Sequence, residues 1–318
     1  MKKTFSFSLA FFFLLFISND INALEHAVKA DAAWKAGVAR VNITPKGPVW
    51  MGGYAFRDHP AEGKLTDLWA KALALEDANG KKAVIVTMDL HTIPKEISDH
   101  IRQELSEKLH LSKSQIILNA SHTHTGPLFK LQNFSVYKLY KNSVETEKTK
   151  RYVRETEAKI INLVVEAFGK MKTVHLYSGN GITRFQVNRR NNNESLLTSQ
   201  TELKGPNDYS VPVIKVVNGS GKITAIAFGY ACHNTVLSGY QYSGDYAGFA
   251  QAELEKAYPG TTALFFQGCG GDQNPLPRGT AAFAKQYGQT LAAAVESVVE
   301  EDMHELSPQL YTSYKEIK

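Results

Sequence analysis

The sequence predicts an α/β fold with mixed β-sheets flanked by helices, and three observations lead to it. Apolar, β-branched runs alternate along the chain with segments whose apolar residues recur at helical spacing. Turn signals at Asn79-Gly80 and Gly219-Ser220-Gly221 join neighbouring runs as hairpins, while helical segments separate others, so the sheets are mixed. The composition, 43% hydrophobic and 21% charged over 318 residues, is that of a globular chain able to bury a core.

Taken in order, residues 1–23 carry Lys2 and Lys3, an apolar segment from Leu9 to Ile17 and a polar stretch to Ala23, the layout of a signal peptide. A membrane helix needs roughly 20 apolar residues, and this run is shorter. No cysteine follows it to take a lipid anchor. We therefore expect a secreted or periplasmic protein whose single domain covers 24–318.

"WKAGVARVNITP" reads as a strand and "KALALEDANGKKAVIVTMDL" as a hairpin. Ile97–Leu109 has helical spacing, and "QIILNASHTH" follows as a strand. A longer helix fits Lys150 to Met171, with Val153, Ile160, Ile161, Val164, Val165 and Phe168 on one face. Gly179–Asp208 is rich in Asn, Arg and Ser without periodicity and reads as a long loop. "VPVIKVVNGSGKITAIAFGYACHN" gives two more strands, then come a helix from Tyr246 to Tyr258, a buried strand "TALFFQG" ending in glycines, and an amphipathic helix from Ala281 to Glu301. No internal repeat and no interdomain linker is visible. The net charge of +5 comes from scattered lysines and arginines, which is no nucleic-acid footprint, so no such partner is expected.

Chemistry concentrates where apolar runs end. In "LNASHTHTGP", His122 and His124 are two residues apart, and in a strand such residues face one side about 6.6 Å apart, close enough for two imidazoles to share an ion. Catalytic zinc takes three or four protein ligands with a place left for water. His233, after "AIAFGYAC", is the first choice for the third, provided its strand neighbours the other; His91, after "AVIVTMDL", competes by the same logic, with Asp89 beside it as ligand or orienting carboxylate. Asp245 in "SGDYAGF" reads either as a helix N-cap or as an acid serving an imidazole or bound water. The loop "QGCGGDQNPLPRG" offers backbone N–H groups to an oxyanion and brings Asp272, Asn274 and Arg278. Asn188 and Arg189 are candidate substrate contacts. Cys232 and Cys269 are bonded, free and buried, or metal-linked, and Trp50, Tyr54 and Phe56 either touch lipid or pack.

"RVNITP", "MGGY", "KALALED", "ASHTHTGP", "VNRR", "ACHNTVLSGYQYSGDYAGF" and "FFQGCGGDQNP", in this order from about Lys35 to the end, resemble the neutral/alkaline ceramidase family. The resemblance implies an exported or membrane-associated amidase that cleaves the N-acyl bond of ceramide, with zinc held by His122, His124 and His233. Two departures stand out. The family's Gly-Asp-x-Ser-Pro string, whose serine is the proposed nucleophile, is "GDQNP" here, with Asn274 in the serine's place. The family also adds a Glu and a Tyr to the zinc from further downstream, so the sequence reads as an N-terminal catalytic domain.

The resulting expectation is a zinc-dependent hydrolase of an N-acyl amide bond in a ceramide-like or related lipid, with transient membrane-surface contact. Water would take the missing serine's part. Asp245 or Asp272 would steer protons, while Asn274, Arg278, Asn188 and Arg189 would contact substrate or intermediate. A zinc-containing lipid-binding protein without turnover, or a metal-dependent esterase or phosphatase, are the alternatives.

Overall fold

The structure, a computed structural model, describes residues 33–317 apart from 133, 138, 140, 141, 200 and 201; the leader reading lies outside the described residues. The first half of the described chain runs β1 (Trp34–Asn42), β2 (Gly63–Lys64), β3 (Trp69–Glu76), β4 (Lys82–Met88), α1 (Lys95–Leu109), β5 (Ile116–Ala120) and α2 (Ser143–Gly169). The second runs β6 (Lys172–Ile182), β7 (Gln186–Asn188), β8 (Ser210–Asn218), β9 (Ile223–Tyr230), β10 (Gln241–Tyr242), α3 (Asp245–Ala257), β11 (Thr262–Gln267), β12 (Gln273–Pro275), α4 (Ala281–Glu300) and β13 (His304–Glu305).

The main sheet has the order β11-β9-β8-β6-β1-β3-β4-β5, with β13 added on β6. The pairs β4/β5 and β9/β11 are parallel and the rest antiparallel. A mixed sheet results because hairpin turns join β3 to β4 and β8 to β9, whereas α1 and α3 are long enough to carry the chain back to a parallel start. These connections repeat. The run β1, β3, β4, α1, β5, α2 has the same order and pairing as β6, β8, β9, α3, β11, α4, and the copies join antiparallel at β1 and β6. The sequence reading of no internal repeat is therefore corrected: the repeat is one of topology.

Alternate strand residues serve two faces. Ala70, Ala72 and Ala74 of β3 pack beneath α1 and α2, while Leu73 and Leu75 point the other way. In the second half Ile226 and Phe228 of β9 pack beneath α3 and α4, and Ala225 and Ala227 join Leu73, Leu75, Trp34 and Leu264. The sheet thus folds over on itself, giving helices outside and two strand layers face to face within. Lys71 of β3, withdrawn from water, crosses between the layers to Glu255 of α3 (2.7 Å) and the carbonyl of Ala263 (2.8 Å). Folding over also brings the sheet's two rims together. The Gln267 N–H donates to Asn119 Oδ1 (2.8 Å), and Asn119 Nδ2 donates to the Gln267 carbonyl (3.2 Å).

Three boundaries differ from the sequence reading. Helix α2 starts at Ser143 rather than Lys150, because the Asn142 side chain accepts the Glu145 N–H (3.1 Å) and the polar first turns dock through Thr149 and Tyr152. Strands β6 and β7 occupy part of the expected loop. Gly179 and Gly181 sit in β6 because α4 lies against it, and a Cβ at either would fall 2.6 or 2.8 Å from Val298. Strand β5 ends at Ala120, short of the histidines. No helix among the described residues is long and apolar enough to cross a membrane.

Candidate metal centre

Strands β4, β5, β9 and β11 deliver their following loops to one end of the molecule, where four imidazoles meet. His91 is the third residue after β4 and His233 the third after β9, at equivalent positions of the two copies. The rings of His91 and His122 are 4.5 Å apart, His91 and His124 4.6 Å, His122 and His124 4.9 Å, and His122 and His233 4.9 Å between centroids.

The convergence has a different cause from strand alternation. His122 lies beyond β5 with φ of 59°, a left-handed backbone that a non-glycine residue holds only under external restraint. The restraint comes from the intervening threonines: Thr123 and Thr125 both donate their hydroxyls to the Ser243 carbonyl (2.7 and 3.0 Å), and the Ser243 N–H returns a bond to the Thr125 carbonyl (3.0 Å). Histidines face the cleft while threonines face the buried turn before α3. Nor are β5 and β9 neighbours, since they stand near opposite rims; the fold-over brings them close.

Two rings have a defined tautomer. His122 Nδ1 donates to the His91 carbonyl (2.8 Å) and His233 Nδ1 to the Gly270 carbonyl (2.7 Å), which leaves each Nε2 with a free lone pair. Burial, reinforced by the neighbouring imidazoles, pushes His91 down to about 4 and His124 to about 2. Burial likewise lowers His233 to about 4 and depresses His122. All four are uncharged near neutrality, the state in which imidazole binds a cation.

The residues fit a metal. His91, His122 and His124 offer nitrogens within 4.8 Å of one another, a group that could hold an ion. His122 Nε2 and His124 Nε2 are 3.3 Å apart. Two nitrogens each about 2.0–2.1 Å from one tetrahedral ion stand roughly 3.3–3.4 Å apart. His124 Nδ1, on the far side of the ring from the paired Nε2 atoms, is buried without a partner among the described residues. Geometry and sequence select different third histidines. His233 comes close to His122, but its ring centre is 5.8 Å from that of His124.

The other expected site residues divide. Asp245 is the first residue of α3, with Gly244 at the N-cap and φ of 54°; its carboxylate accepts the N–H groups of Leu237 (2.8 Å) and Tyr246 (2.7 Å). It is therefore neither the N-cap nor bonded to an imidazole, and burial raises its carboxyl to about 6. Asp89 accepts from the Trp69 N–H and from Gln251 Nε2, away from the rings. Asn188 is buried and spent on its own loop: Oδ1 takes the Arg190 and Asn191 N–H groups, and Nδ2 reaches the Pro206 carbonyl and Asp272. Arg189 bonds the Gly271 carbonyl through Nε (3.0 Å) and is otherwise exposed. Arg278 forks onto Glu194 at 2.7 and 2.6 Å.

Two hollows flank these groups. One, of about 410 Å³, is lined by His91, His122, His233, Asn119 and the 267–271 loop. The other, of about 430 Å³, is lined by Arg189, Asn192, Glu194 and Asn274, whose buried Oδ1 has no partner. Both cysteines are free, Cys232 buried and Cys269 exposed. Trp50 packs in a small core with Leu128 and Leu139, whereas Tyr54 sets its ring 4.9 Å from that of His124 and stacks on Phe56, which is 60% exposed. Sequence reasoning missed Thr123, Thr125 and Gly53. The signal for Gly53 was "MGGY": with φ of 91° and a would-be Cβ 2.6 Å from the His124 ring, only glycine lets this loop lie on the imidazole.

Residues 34–308 match the family described as neutral/alkaline non-lysosomal ceramidase, N-terminal. The chain is 25% identical to neutral ceramidase of Pseudomonas aeruginosa over 300 residues, covering 88% of this chain and 43% of that protein. It is 26% identical to neutral ceramidase A of Dictyostelium discoideum over 306 residues, covering 88% and 42%. The crystal structure of the Pseudomonas aeruginosa neutral ceramidase has the same fold, with a TM-score of 0.73 at 23% identity over 88% of this chain and 46% of that one. The chain spans less than half the length of these relatives. With a match over most of its length and a common fold, the chain belongs to the neutral/alkaline non-lysosomal ceramidase family.

Proposed function

We propose that this chain carries the zinc centre of an exported hydrolase acting on the N-acyl amide bond of ceramide or a related lipid. The observation that carries the reading is the meeting of uncharged imidazoles at strand ends in a ceramidase-family fold. His122, His124 and His233 would hold the ion, which when bound supplies Lewis acidity toward the acyl carbonyl and water.

The chain's own groups divide the remaining work. The carbonyls of His91 and Gly270 hold two rings in the tautomer that exposes Nε2, and the threonine contacts to Ser243 fix the loop between. Asn274 has no nucleophilic atom, so water must attack. Its unpartnered Oδ1 is suited to receive a substrate N–H or O–H, which orients the head group. The glycine-rich 268–271 backbone lines the hollow beside His91, His122 and His233, and Arg189, bonded to the Gly271 carbonyl, lines the neighbouring one; in this reading they would meet negative charge on the acyl oxygen. Asp272, which accepts from Asn188 Nδ2, is the carboxylate this reading assigns to proton transfer, while Asp245, turned to the N–H groups of Leu237 and Tyr246, acts through the backbone it holds. Phe56 supplies an apolar contact for the lipid at the cleft's rim.

The test is fatty-acid release from N-acylsphingosine and simpler N-acyl amides by the purified protein. Release that falls at least about 100-fold with a chelator and in His124→Ala supports the proposal. Lipid binding without release would favour the non-catalytic alternative, and turnover confined to ester or phosphate substrates would replace the amidase reading.

A further inference from the structure

We propose that Arg57 is a positioning residue, whose buried guanidinium ties the 52–57 loop to the 238–239 segment and so fixes the ring of His124. This rests on the reading of the imidazole centre as the reactive site and adds to it a residue outside the centre. Arg57 is completely withdrawn from water, yet no acid among the described residues pairs with it. An uncompensated buried charge is costly, and for packing alone an apolar side chain would serve better. The guanidinium is spent on backbone instead. Nη1 donates to the Gly52 carbonyl and Nη2 to the carbonyls of Ser238 (3.2 Å) and Gly239 (2.9 Å), while the Tyr54 and Tyr240 rings stand 5.1 and 5.8 Å away. One planar fork thus spans two loops, which the point charge of a lysine would not do.

The ring that needs this tie is His124. His122 and His233 each give Nδ1 to a backbone carbonyl, whereas His124 Nδ1 has no partner among the described residues. Its orientation comes from contact. Gly53 lies on the ring, with a would-be Cβ 2.6 Å from the imidazole Cγ, and the Tyr54 ring stands 4.9 Å away, edge-on. Both residues belong to the loop that Arg57 anchors. The other side of the tie is firm: the Asp245 carboxylate accepts the Leu237 N–H (2.8 Å), the Leu237 carbonyl accepts the Tyr54 hydroxyl (3.4 Å) and the Asn234 carbonyl accepts the His124 N–H (3.2 Å). A displacement of about 1 Å at a reacting group can cost about 100-fold in rate, so a loop resting on an imidazole bears on turnover without touching substrate.

The full chain, isotope-labelled at Arg, Tyr and His, is measured by NMR as wild type, Arg57→Lys and Arg57→Gln, with circular dichroism as a check on folding and with kcat and KM on an N-acyl amide. The expected wild type shows separate, slowly exchanging Nη–H signals for Arg57 and a nuclear Overhauser contact between the Tyr54 and His124 rings. Both variants should lose that contact and lower kcat at least about 10-fold with KM held within about 2-fold, and the charge kept by lysine should not rescue either readout. A freely rotating guanidinium or a missing ring contact in the wild type overturns the proposal, as does a folded variant that keeps either the contact or the wild-type kcat. A wild type that hydrolyses no amide overturns the functional reading, and the ring contacts then decide this one. The wild-type spectra decide even where neither variant folds.

Discussion

At the scale of single residues, the four histidines make a prediction that needs no metal. Each has a folded pKa below its ordinary value, so the native chain keeps it neutral while an unfolded chain takes up protons below about pH 6.5. The unfolded state binds more protons, and stability must therefore fall as the pH drops from about 6.5 toward 4, where His91 and His233 begin to charge in place. Urea midpoints of the apo protein should decline across this window, and His124→Ala should flatten the decline. Equal slopes in the two proteins would mean the imidazoles are solvated. The sequence revealed these residue types because a histidine after an apolar run is conspicuous. It concealed their geometry: the left-handed turn at His122 depends on Thr123 and Thr125 reaching Ser243, more than a hundred positions away. Asp245 was conspicuous too, but its carboxylate serves the backbone of Leu237 and Tyr246, a use no local pattern announces.

At the scale of elements, glycines record how closely helices approach strands. A Cβ at Gly37 of β1 would lie 1.9 Å from the Ala167 carbonyl of α2, a clash with backbone that no rotamer can relieve. Gly37→Ala should cost about 3 kcal/mol or more in chemical denaturation, whereas Gly271→Ala, with nothing within 4 Å, should stay within about 0.5 kcal/mol. Equal effects would show that α2 does not rest on β1. The same close approach explains a misreading. Glycines and asparagine in "SGNGI" look like loop, yet β6 runs through them because α4 occupies the volume side chains would need. Strands with a hairpin turn and helices with an apolar stripe were legible, since their signals are local. The first turns of α2 were not, because their docking residues are threonine and tyrosine.

At the scale of the whole molecule, two like halves face each other and the imidazoles come from both, three from the first and His233 from the second. An ion held by both halves stabilises the folded state alone. At a free concentration 100 times its dissociation constant it adds about 2.7 kcal/mol, or about 5–10 °C in melting temperature, and a chelator should remove that gain. An unchanged melting temperature in excess zinc would rule out such bridging. The duplication was invisible in the sequence because the copies share the order of elements and the place of one histidine, and little else.

The joined rims have a consequence away from any chemistry. An open sheet ordinarily ends in strands whose free amide and carbonyl groups can recruit a strand from another molecule and seed aggregates. Here the last residue of β11 has both backbone groups occupied by Asn119, a side chain from the opposite border. Beside the hollow that the histidines line, this residue therefore has no backbone group left to pair with a strand of another molecule.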